Sequence, residues 1–412
     1  MTSMRFSQKI ALNTLAQVLG KIFSAGTMLV ITMMVLRWFG VEDFGRLTAI
    51  LAYVAYFYLL ADFGFNAIIV REAAKNKVRP AEYFSLLLSL RFFLALALIF
   101  LALLILLILP SPYNQPFVKQ GIFLASMMIL AQAFLASANA VFQFKLRYDQ
   151  SALAVGLGSL VTLILVFLFI KKGFSLLSLV LAFTIGGLVM ASAALFLAKR
   201  LVPRLRFSVQ PKRFKKIFLL TWPLGLTLIF NLVYFKIDKF LIPVLRSFQE
   251  LGLYEAAYKV FDVSLVFPVF FMNSVFPVLA KMAKEKTAYK RVFKKAFFIL
   301  LITSFSGMII GILTTPLIIK IIAGQALPLS VLVLRVLFCS LPLFFLSALL
   351  MWDFILKNQQ KSLVFIYGAG LLTNLFLNLV FIPQYGILAA AVNTGVTEGV
   401  VLFFLFWRRN AN

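Results

Sequence analysis

The stretch NLVYFKIDKFLIPVLRSFQELGLYEAAYKVFD, residues 231–262, decides how the rest of the chain is interpreted. Its pattern predicts the end of one membrane-spanning helix, a short turn, and the start of the next helix. Both predicted helices carry charged residues where lipid would demand apolar ones. Ionisable groups are costly in a bilayer, and by default they mark a substrate or ion pathway. The stretch therefore predicts a polar interior between helices, with mutual ion pairing or snorkelling to the headgroups as the alternative.

Six charged residues lie inside these two helices. They are Lys236, Asp238 and Lys239 on the first helix, and Glu255, Lys259 and Asp262 on the second. The charges of the second helix recur every three or four residues, so they share one stripe, with the acid ahead of the base in the better pairing order. Such a stripe cannot face lipid.

The composition of the whole chain sets the class of protein. Of 412 residues, 63% are hydrophobic and only 13% are charged. Apolar runs longer than about 18 residues occur repeatedly, which is typical of a membrane protein with many spans. The chain has one cysteine and no histidine, which excludes an internal disulfide and any mechanism that needs an imidazole. No cofactor and no metal site is predicted.

Twelve apolar segments have spanning length, which predicts an all-α polytopic membrane protein. They fall at about residues 10–36, 44–70, 84–109, 120–144, 151–170, 174–198, 217–245, 251–280, 296–321, 329–355, 362–382 and 386–407. A basic linker at 201–216 then separates an N-lobe, residues 1–200 with helices 1–6, from a C-lobe, residues 217–412 with helices 7–12.

A short repeat relates the two predicted lobes. VLRWF at residues 35–39 recurs as VLRSF at 244–248, and each copy ends the first helix of its half. Six helices per half preserve orientation, so the halves would be parallel repeats about an axis along the membrane normal. Chance similarity between apolar segments is the alternative.

The distribution of lysine and arginine predicts the topology. If the N-terminus is inside, most of the 40 cations fall in inner connections and few in outer ones. The positive-inside rule then puts both termini and the linker in the cytoplasm. The net charge of +27 reflects this topology and attraction to anionic lipid of the inner leaflet. Nucleic acid is not a predicted partner, because no soluble domain presents the basic residues.

Further charged residues lie inside predicted helices. The cations are Lys21, Arg91, Lys236, Lys239, Lys259 and Arg335, and the acids considered for coupling or ion pairs are Asp62, Asp238, Glu255, Asp262 and Glu398. A lysine or arginine at the centre of a span costs about 2.5–3.5 kcal/mol when it meets lipid unpaired. These cations must therefore converge on counterions or on water. Glu398 lies near mid-membrane and is the candidate for a proton or cation site.

Four segments resemble one family of exporters. FGVEDFGRLTAILAYVAYFYLLADFGFNAIIVREAAK at residues 39–75, NLVYFKIDKFLI at 231–242, LGLYEAAYKV at 251–260 and FPVLAKM at 276–282 are similar to polysaccharide biosynthesis flippases of the multidrug/oligosaccharidyl-lipid/polysaccharide exporter superfamily. The resemblance implies a V-shaped, two-lobed exporter of about twelve helices in a prokaryotic cytoplasmic (inner) membrane. It further implies, by alternating access, movement of a polyprenyl-pyrophosphate-linked oligosaccharide repeat unit to the outer leaflet.

The charged and polar residues inside the predicted helices suit the chemistry of such a cargo. The six cations would line one aqueous cavity and bind the pyrophosphate through charge-assisted hydrogen bonds. Sugar hydroxyls would contact Asn13, Gln17, Asn66, Asn231, Tyr254 and Tyr258, although hydrogen bonding between helices is the alternative role of each amide. Coupling to H⁺ or Na⁺ and contact with membrane lipid are expected, and a polysaccharide polymerase is a candidate partner.

Three other functions stay open on the sequence alone. A multidrug exporter of the same superfamily is the first, but cations in the cavity would repel cationic drugs. A flippase for the peptidoglycan lipid precursor is the second, and its relatives have fourteen helices. A membrane glycosyltransferase or acyltransferase is the third. It would need a paired-acid or histidine site, whereas the only adjacent acids are Glu42 and Asp43 in a short turn.

Overall fold

The computed structural model describes residues 6–75, 80–282, 285–357 and 359–411, and over these ranges the regular structure is entirely helical. The helices are α1 (Phe6–Asp62), α2 (Phe65–Lys75), α3 (Pro80–Ile108), α4 (Pro116–Ala125), α5 (Met127–Lys145), α6 (Tyr148–Lys171), α7 (Leu176–Leu201), α8 (Pro211–Leu245), α9 (Phe248–Ser264), α10 (Val266–Met282), α11 (Lys286–Ala323), α12 (Pro328–Cys339), α13 (Leu341–Leu356) and α14 (Gln360–Ala411). The predicted all-α class is confirmed.

Many of these helices can cross a membrane. Within the described ranges, eight helical runs are long and apolar enough, and the bent pair α12 and α13 adds a ninth if it counts as one span. The predicted polytopic membrane protein is confirmed. About twelve spans are reached when α8, which is 35 residues long, is also counted and when α1 and α14 each contribute two spans.

A break inside α1 and another inside α14 justify that division. α1 has 57 residues and α14 has 52, so each would exceed about 75 Å at roughly 1.5 Å per residue, over twice the roughly 30 Å bilayer core. Gly40 (φ 82°) and Gly386 (φ 61°) interrupt them with non-helical backbone. Positive φ is a conformation that glycine adopts without the steric cost of a Cβ, so the chain can turn there between two spans.

The chain forms two compact units. The first comprises Met1–Trp38 and Ala49–Ile229, and the second comprises Phe39–Thr48 and Phe230–Asn412. The linker at 201–216 belongs to the first unit, and a short segment from the first half of the sequence belongs to the second. The division into an N-lobe at 1–200 and a C-lobe at 217–412, each with six membrane-spanning helices, stays a prediction.

In the first unit, small residues bring α6 and α7 into backbone contact. A Cβ added at Gly158 would lie 2.7 Å from the carbonyl oxygen of Gly186, and one added at Gly186 would lie 2.9 Å from that of Gly158. Small residues at helix interfaces in membranes allow this close van der Waals packing. The α6–α7 pair is therefore a tightly packed wall of this unit.

In the second unit, the segment Phe39–Thr48 packs against the start of α9. A Cβ at Gly45 would lie 1.8 Å from the carbonyl oxygen of Phe248, and one at Gly252 would lie 2.0 Å from that of Val41. The two glycines thus permit a reciprocal approach of backbone to backbone. No other residue could occupy either position without a shift of the main chain.

Candidate functional site: a polar cleft and a buried charge cluster

A polar cleft of about 400 Å³ lies within the first unit, between α1, α2, α5 and α6. Its polar lining is Gln17, Lys21, Ser24, Asn66, Asn139, Gln143, Tyr148 and Ser151. We call this cavity, with these eight lining residues, the polar cleft. Three of the predicted site residues, Gln17, Lys21 and Asn66, thus lie together. The Lys21 and Gln17 side chains are exposed, and that of Asn66 is half-buried, so the cleft offers a cation and amides to a ligand.

The sequence places these side chains together through helical spacing. On α1 the polar residues recur at intervals of four and three, on α5 at an interval of four and on α6 at an interval of three, so each helix presents one polar stripe. Ser151 donates a hydrogen bond to Oδ1 of Asn139 at 2.7 Å, which joins α5 to α6. Ser24, Gln143, Tyr148 and Ser151 were not predicted as site residues. Their spacing within each helix, four residues from Asn139 to Gln143 and three from Tyr148 to Ser151, is the signal that could have indicated them.

Arg91 lies next to the polar cleft but does not line it. It is fully buried, and its Nη2 forms an ion pair with Oδ1 of Asp62 at 2.5 Å. Its Nη1 donates to Oδ1 of Asn66 at 2.8 Å, while Nε and Nη2 donate to the carbonyl oxygens of Ala61 and Asp62 at 3.3 and 3.1 Å. Those carbonyls end α1, where intrahelical partners are missing. Arg91 therefore caps α1 and orients Asn66 at the edge of the cleft.

A buried charge cluster occupies the second unit, where α8 meets α9. Glu255 joins two lysines: Oε2 lies 2.7 Å from Nζ of Lys239, and Oε1 lies 3.1 Å from Nζ of Lys259. Lys239 and Glu255 are buried, whereas the Lys259 side chain is 23% exposed. Lys259 is thus the cation of this group that a ligand can reach.

Aromatic residues complete the buried charge cluster. Tyr254 donates its hydroxyl to the buried carboxylate of Asp238, and the ring of Tyr258 lies 4.2 Å from Nζ of Lys239. The backbone N–H of Lys239 donates to Asp238 at 2.8 Å. Tyr258 donates to the carbonyl oxygen of Phe235 at 3.2 Å. The cluster, residues 238, 239, 254, 255, 258 and 259, therefore brings six of the predicted site residues together.

The remaining predicted cations and amides lie elsewhere. Lys236 and Asp262 are half-buried, and Arg335 on α12 is exposed. The side chains of Asn13 and Asn231 lie outside the described residues. The prediction that the cations of both halves line one cavity stays a prediction, because the polar cleft and the charge cluster belong to different units.

Glu398 lies on α14 and is buried in the second unit. Its carboxylate accepts hydrogen bonds from the hydroxyls of Tyr234 and Ser347. Glu398 forms no ion pair with another residue in the part of the chain that the structure describes. A buried carboxylate costs much free energy unless it is paired, hydrogen-bonded or protonated, and here the two hydroxyls supply its hydrogen bonds.

A chain of amides lies near Glu398 on α14. Asn393 donates to Oδ1 of Asn378 at 2.9 Å, and Asn378 donates to Oδ1 of Asn374 at 2.8 Å. Thr397, one residue before Glu398, donates to the carbonyl oxygen of Asn393 at 2.6 Å. Buried polar groups in a membrane need such partners. The amides link the two spans of α14 and fix the backbone that carries Glu398.

Comparison with known proteins identifies the class to which this architecture belongs. The inward closed conformation of the lipid II flippase MurJ superposes with a TM-score of 0.80 and 16% identity, covering 97% of this chain and 87% of MurJ. An inward-facing multidrug resistance transporter of the MATE family gives 0.76 and 13% identity, covering 94% of each chain. The chain therefore has the same fold as these two transporters.

The sequence itself gives the family. Residues 6–283 match the family described as polysaccharide biosynthesis protein. A capsular polysaccharide biosynthesis protein, CapF of Staphylococcus aureus, is 22% identical over 401 residues, which cover 94% of this chain and 96% of CapF. The chain belongs to the polysaccharide biosynthesis family, and the resemblance inferred from residues 39–75 and 231–282 is confirmed.

Proposed function

We propose that this protein is a flippase that moves a polyprenyl-pyrophosphate-linked oligosaccharide from the cytoplasmic to the outer leaflet by alternating access. It acts as a transporter and not as an enzyme, so the cargo keeps its covalent bonds. The observation that carries the proposal is the polar cleft, which places one lysine among amide and hydroxyl groups inside a membrane protein. Membership of a polysaccharide biosynthesis family supports a sugar-bearing cargo.

The chemistry of the polar cleft suits a sugar pyrophosphate. The ammonium of Lys21 can form charge-assisted hydrogen bonds with phosphate oxygens. Amides such as Gln17, Asn66 and Gln143 both donate and accept, which matches sugar hydroxyls. In the second unit, Lys259 supplies an accessible cation, and the half-buried Lys236 and exposed Arg335 extend the proposed set.

Two other predicted cations take a positioning role in this proposal. Arg91 and Lys239 are buried, and each already holds a carboxylate, at 2.5 and 2.7 Å respectively. A ligand phosphate would have to displace these partners. We therefore assign direct contact to Lys21 and Lys259, and assign to Arg91 and Lys239 the task of holding Asn66 and Glu255 in place.

Glu398 is the proposed coupling site for H⁺ or Na⁺. Its burial and its two hydroxyl donors allow the carboxylate to be neutral or to pair with a small cation. Either change alters the hydrogen bonds that join α8, α13 and α14. Uptake and release of the ion would then bias the packing of these helices.

The setting proposed for this activity is a prokaryotic inner membrane, with both termini cytoplasmic and a polysaccharide polymerase as a partner that receives the cargo. The peptidoglycan lipid precursor is an alternative cargo because the fold superposes on MurJ. Both cargoes share the lipid pyrophosphate, so Lys21 and Lys259 have the same role in either case. The two cargoes are distinguished by which flippase-deficient strain the protein rescues.

Complementation of two bacterial strains tests the proposal, one lacking its repeat-unit flippase and one depleted of its lipid II flippase. We expect the protein to restore surface polysaccharide in the first strain only. Lys21→Ala should abolish or strongly reduce rescue, Lys21→Arg should retain part of it, and Lys172→Ala, at an exposed lysine after α6, should have no effect. Rescue of the second strain alone would assign the peptidoglycan precursor, and full rescue by Lys21→Ala would refute the polar cleft as the site.

A further inference from the structure

A second cavity in the first unit lies where the linker between α7 and α8 meets α3. Its volume is about 980 Å³. The lining is Pro80, Ala81, Glu82 and Ser85 of α3, Lys199 of α7, the linker residues Pro203, Arg204, Leu205, Arg206, Ser208 and Gln210, and Arg213 of α8. We call this cavity the linker cleft. It shares no lining residue with the polar cleft.

The linker cleft carries a strong excess of positive charge. Four of its lining residues are cations, namely Lys199, Arg204, Arg206 and Arg213, and all four are exposed. Among its lining residues, Glu82 is the single acid, and it lies 3.8 Å from Arg213. A concave surface lined by charge of one sign raises the local concentration of the opposite ion. The linker cleft thus favours an anion.

The wall of the linker cleft is fixed in place by α3. The backbone N–H of Arg206 donates to Oγ of Ser85 at 3.1 Å, and that of Ser208 donates to Oγ of Ser89 at 2.6 Å. Both serines are buried, and the ring of Phe207 packs edge-on against Phe92. The linker therefore follows α3 as an extended segment. A preformed wall lowers the entropic cost of binding a ligand.

Two helices add to the positive potential. α3 begins at Pro80 and α8 at Pro211, and the first turns of both border the cavity. The first N–H groups of a helix lack intrahelical partners, and the helix dipole is positive at this end. These turns reinforce the four cations but would not form a site without them.

The position of the linker cleft favours a ligand at the membrane surface. Phe207 and Val209 are each more than half exposed and alternate with Arg206 and Ser208 along the linker. Exposed apolar side chains beside cations are typical of segments that lie at the boundary of headgroups and acyl chains. The cleft would then open at the level of lipid phosphates.

From the cavity, its charge and its fixed wall, we infer that the linker cleft is a binding site for a phosphate-bearing group, held by the guanidinium groups of Arg204, Arg206 and Arg213. Guanidinium forks match phosphate oxygens in pairs. The phosphate belongs either to the headgroup of an anionic membrane lipid or to a soluble phosphate compound. This site is separate from the proposed transport site and does not depend on it.

The test uses the purified full-length protein in two arms. In the first, nanodiscs of phosphatidylcholine alone are titrated with inorganic pyrophosphate by calorimetry. In the second, phosphatidylglycerol retained from mixed micelles is counted by native mass spectrometry. The variant Arg204→Gln/Arg206→Gln/Arg213→Gln should weaken binding at least tenfold, and the corresponding triple Arg→Lys variant should weaken it less.

The matched control removes three cations elsewhere. Arg291→Gln/Lys294→Gln/Lys295→Gln changes exposed residues of α11 and should alter binding less than twofold. Selective loss in the first arm identifies a soluble phosphate compound, and selective loss in the second identifies a lipid headgroup. Equal loss of binding in the triple Arg→Gln variant and in the α11 control, or absence of binding by the unsubstituted protein in both arms, would overturn the inference.

Discussion

The ion pair between Arg91 and Asp62 makes the sharpest prediction about stability. The two side chains differ in exposure, since Arg91 is fully buried while the Asp62 side chain is 43% exposed. Removal of Asp62 leaves a buried charge without its counterion. Removal of Arg91 leaves a carboxylate that water can reach. The two substitutions should therefore be strongly coupled rather than additive.

The magnitudes follow from these contacts. Asp62→Asn should destabilise by about 3–5 kcal/mol, the usual cost of breaking a buried ion pair. Arg91→Leu loses four hydrogen bonds, each worth about 0.5–1.5 kcal/mol net, so it should cost roughly 2–6 kcal/mol. In the Arg91→Leu background, Asp62→Asn should cost less than about 1 kcal/mol, because the exposed carboxylate has lost its role.

Titration of the purified protein with sodium dodecyl sulfate in mixed micelles measures these free energies. The four members of the double-mutant cycle should give a coupling energy of about 2–4 kcal/mol. Lys172→Leu, at an exposed position, is the control and should change stability by less than about 0.5 kcal/mol. If the single substitutions add within about 0.5 kcal/mol, the pair does not act as a buried unit and the argument is wrong.

Three further predictions concern packing, coupling and topology. Gly45→Ala should destabilise the protein, because the new Cβ would meet a carbonyl oxygen of α9 at 1.8 Å. Gly26→Ala should be tolerated, because no atom lies within 4 Å of its Cβ position. Equal stability of the two variants in a thermal denaturation series would contradict this. Glu398→Gln should remove the dependence of transport on pH or sodium, and a variant with unchanged transport and unchanged dependence would exclude this coupling site. Gln210→Cys in a Cys339→Ser background should react with an impermeant maleimide only in inside-out vesicles, and reaction in intact cells would reverse the predicted topology.

Much of the membrane architecture could be predicted because it depends on local composition. An apolar run that is long enough, as a helix, to cross the bilayer predicts a span without knowledge of packing. The breaks at Gly40 and Gly386 fall close to connections that the sequence predicted at about 37–43 and 383–385. The helical segments α2, α4, α9 and α13 were not separated from their neighbours, since kinks within an apolar run leave hydropathy unchanged.

The candidate site was predictable in kind but not in arrangement. Charges inside apolar runs mark polar interiors, and Lys21 with Gln17 shares one stripe of α1. Which cation meets which acid depends on contacts between helices distant in sequence, such as Arg91 with Asp62 or Lys239 with Glu255. A single sequence carries no record of those contacts. Gln143, Tyr148 and Ser151 were not selected, although the four- and three-residue spacing of polar residues on α5 and α6 could have indicated them.

Lys21 is proposed to bind the pyrophosphate of a lipid-linked oligosaccharide during its translocation. The most direct measurement reconstitutes the purified protein in liposomes with a fluorescent polyprenyl-pyrophosphate oligosaccharide and follows its exposure to a quencher that cannot cross the bilayer. A charge-assisted hydrogen bond worth about 1.5–3 kcal/mol corresponds to roughly ten- to hundredfold in rate. We predict that Lys21→Ala slows translocation by this factor while Lys172→Ala does not. Equal rates for the protein and its Lys21→Ala variant would contradict the claim.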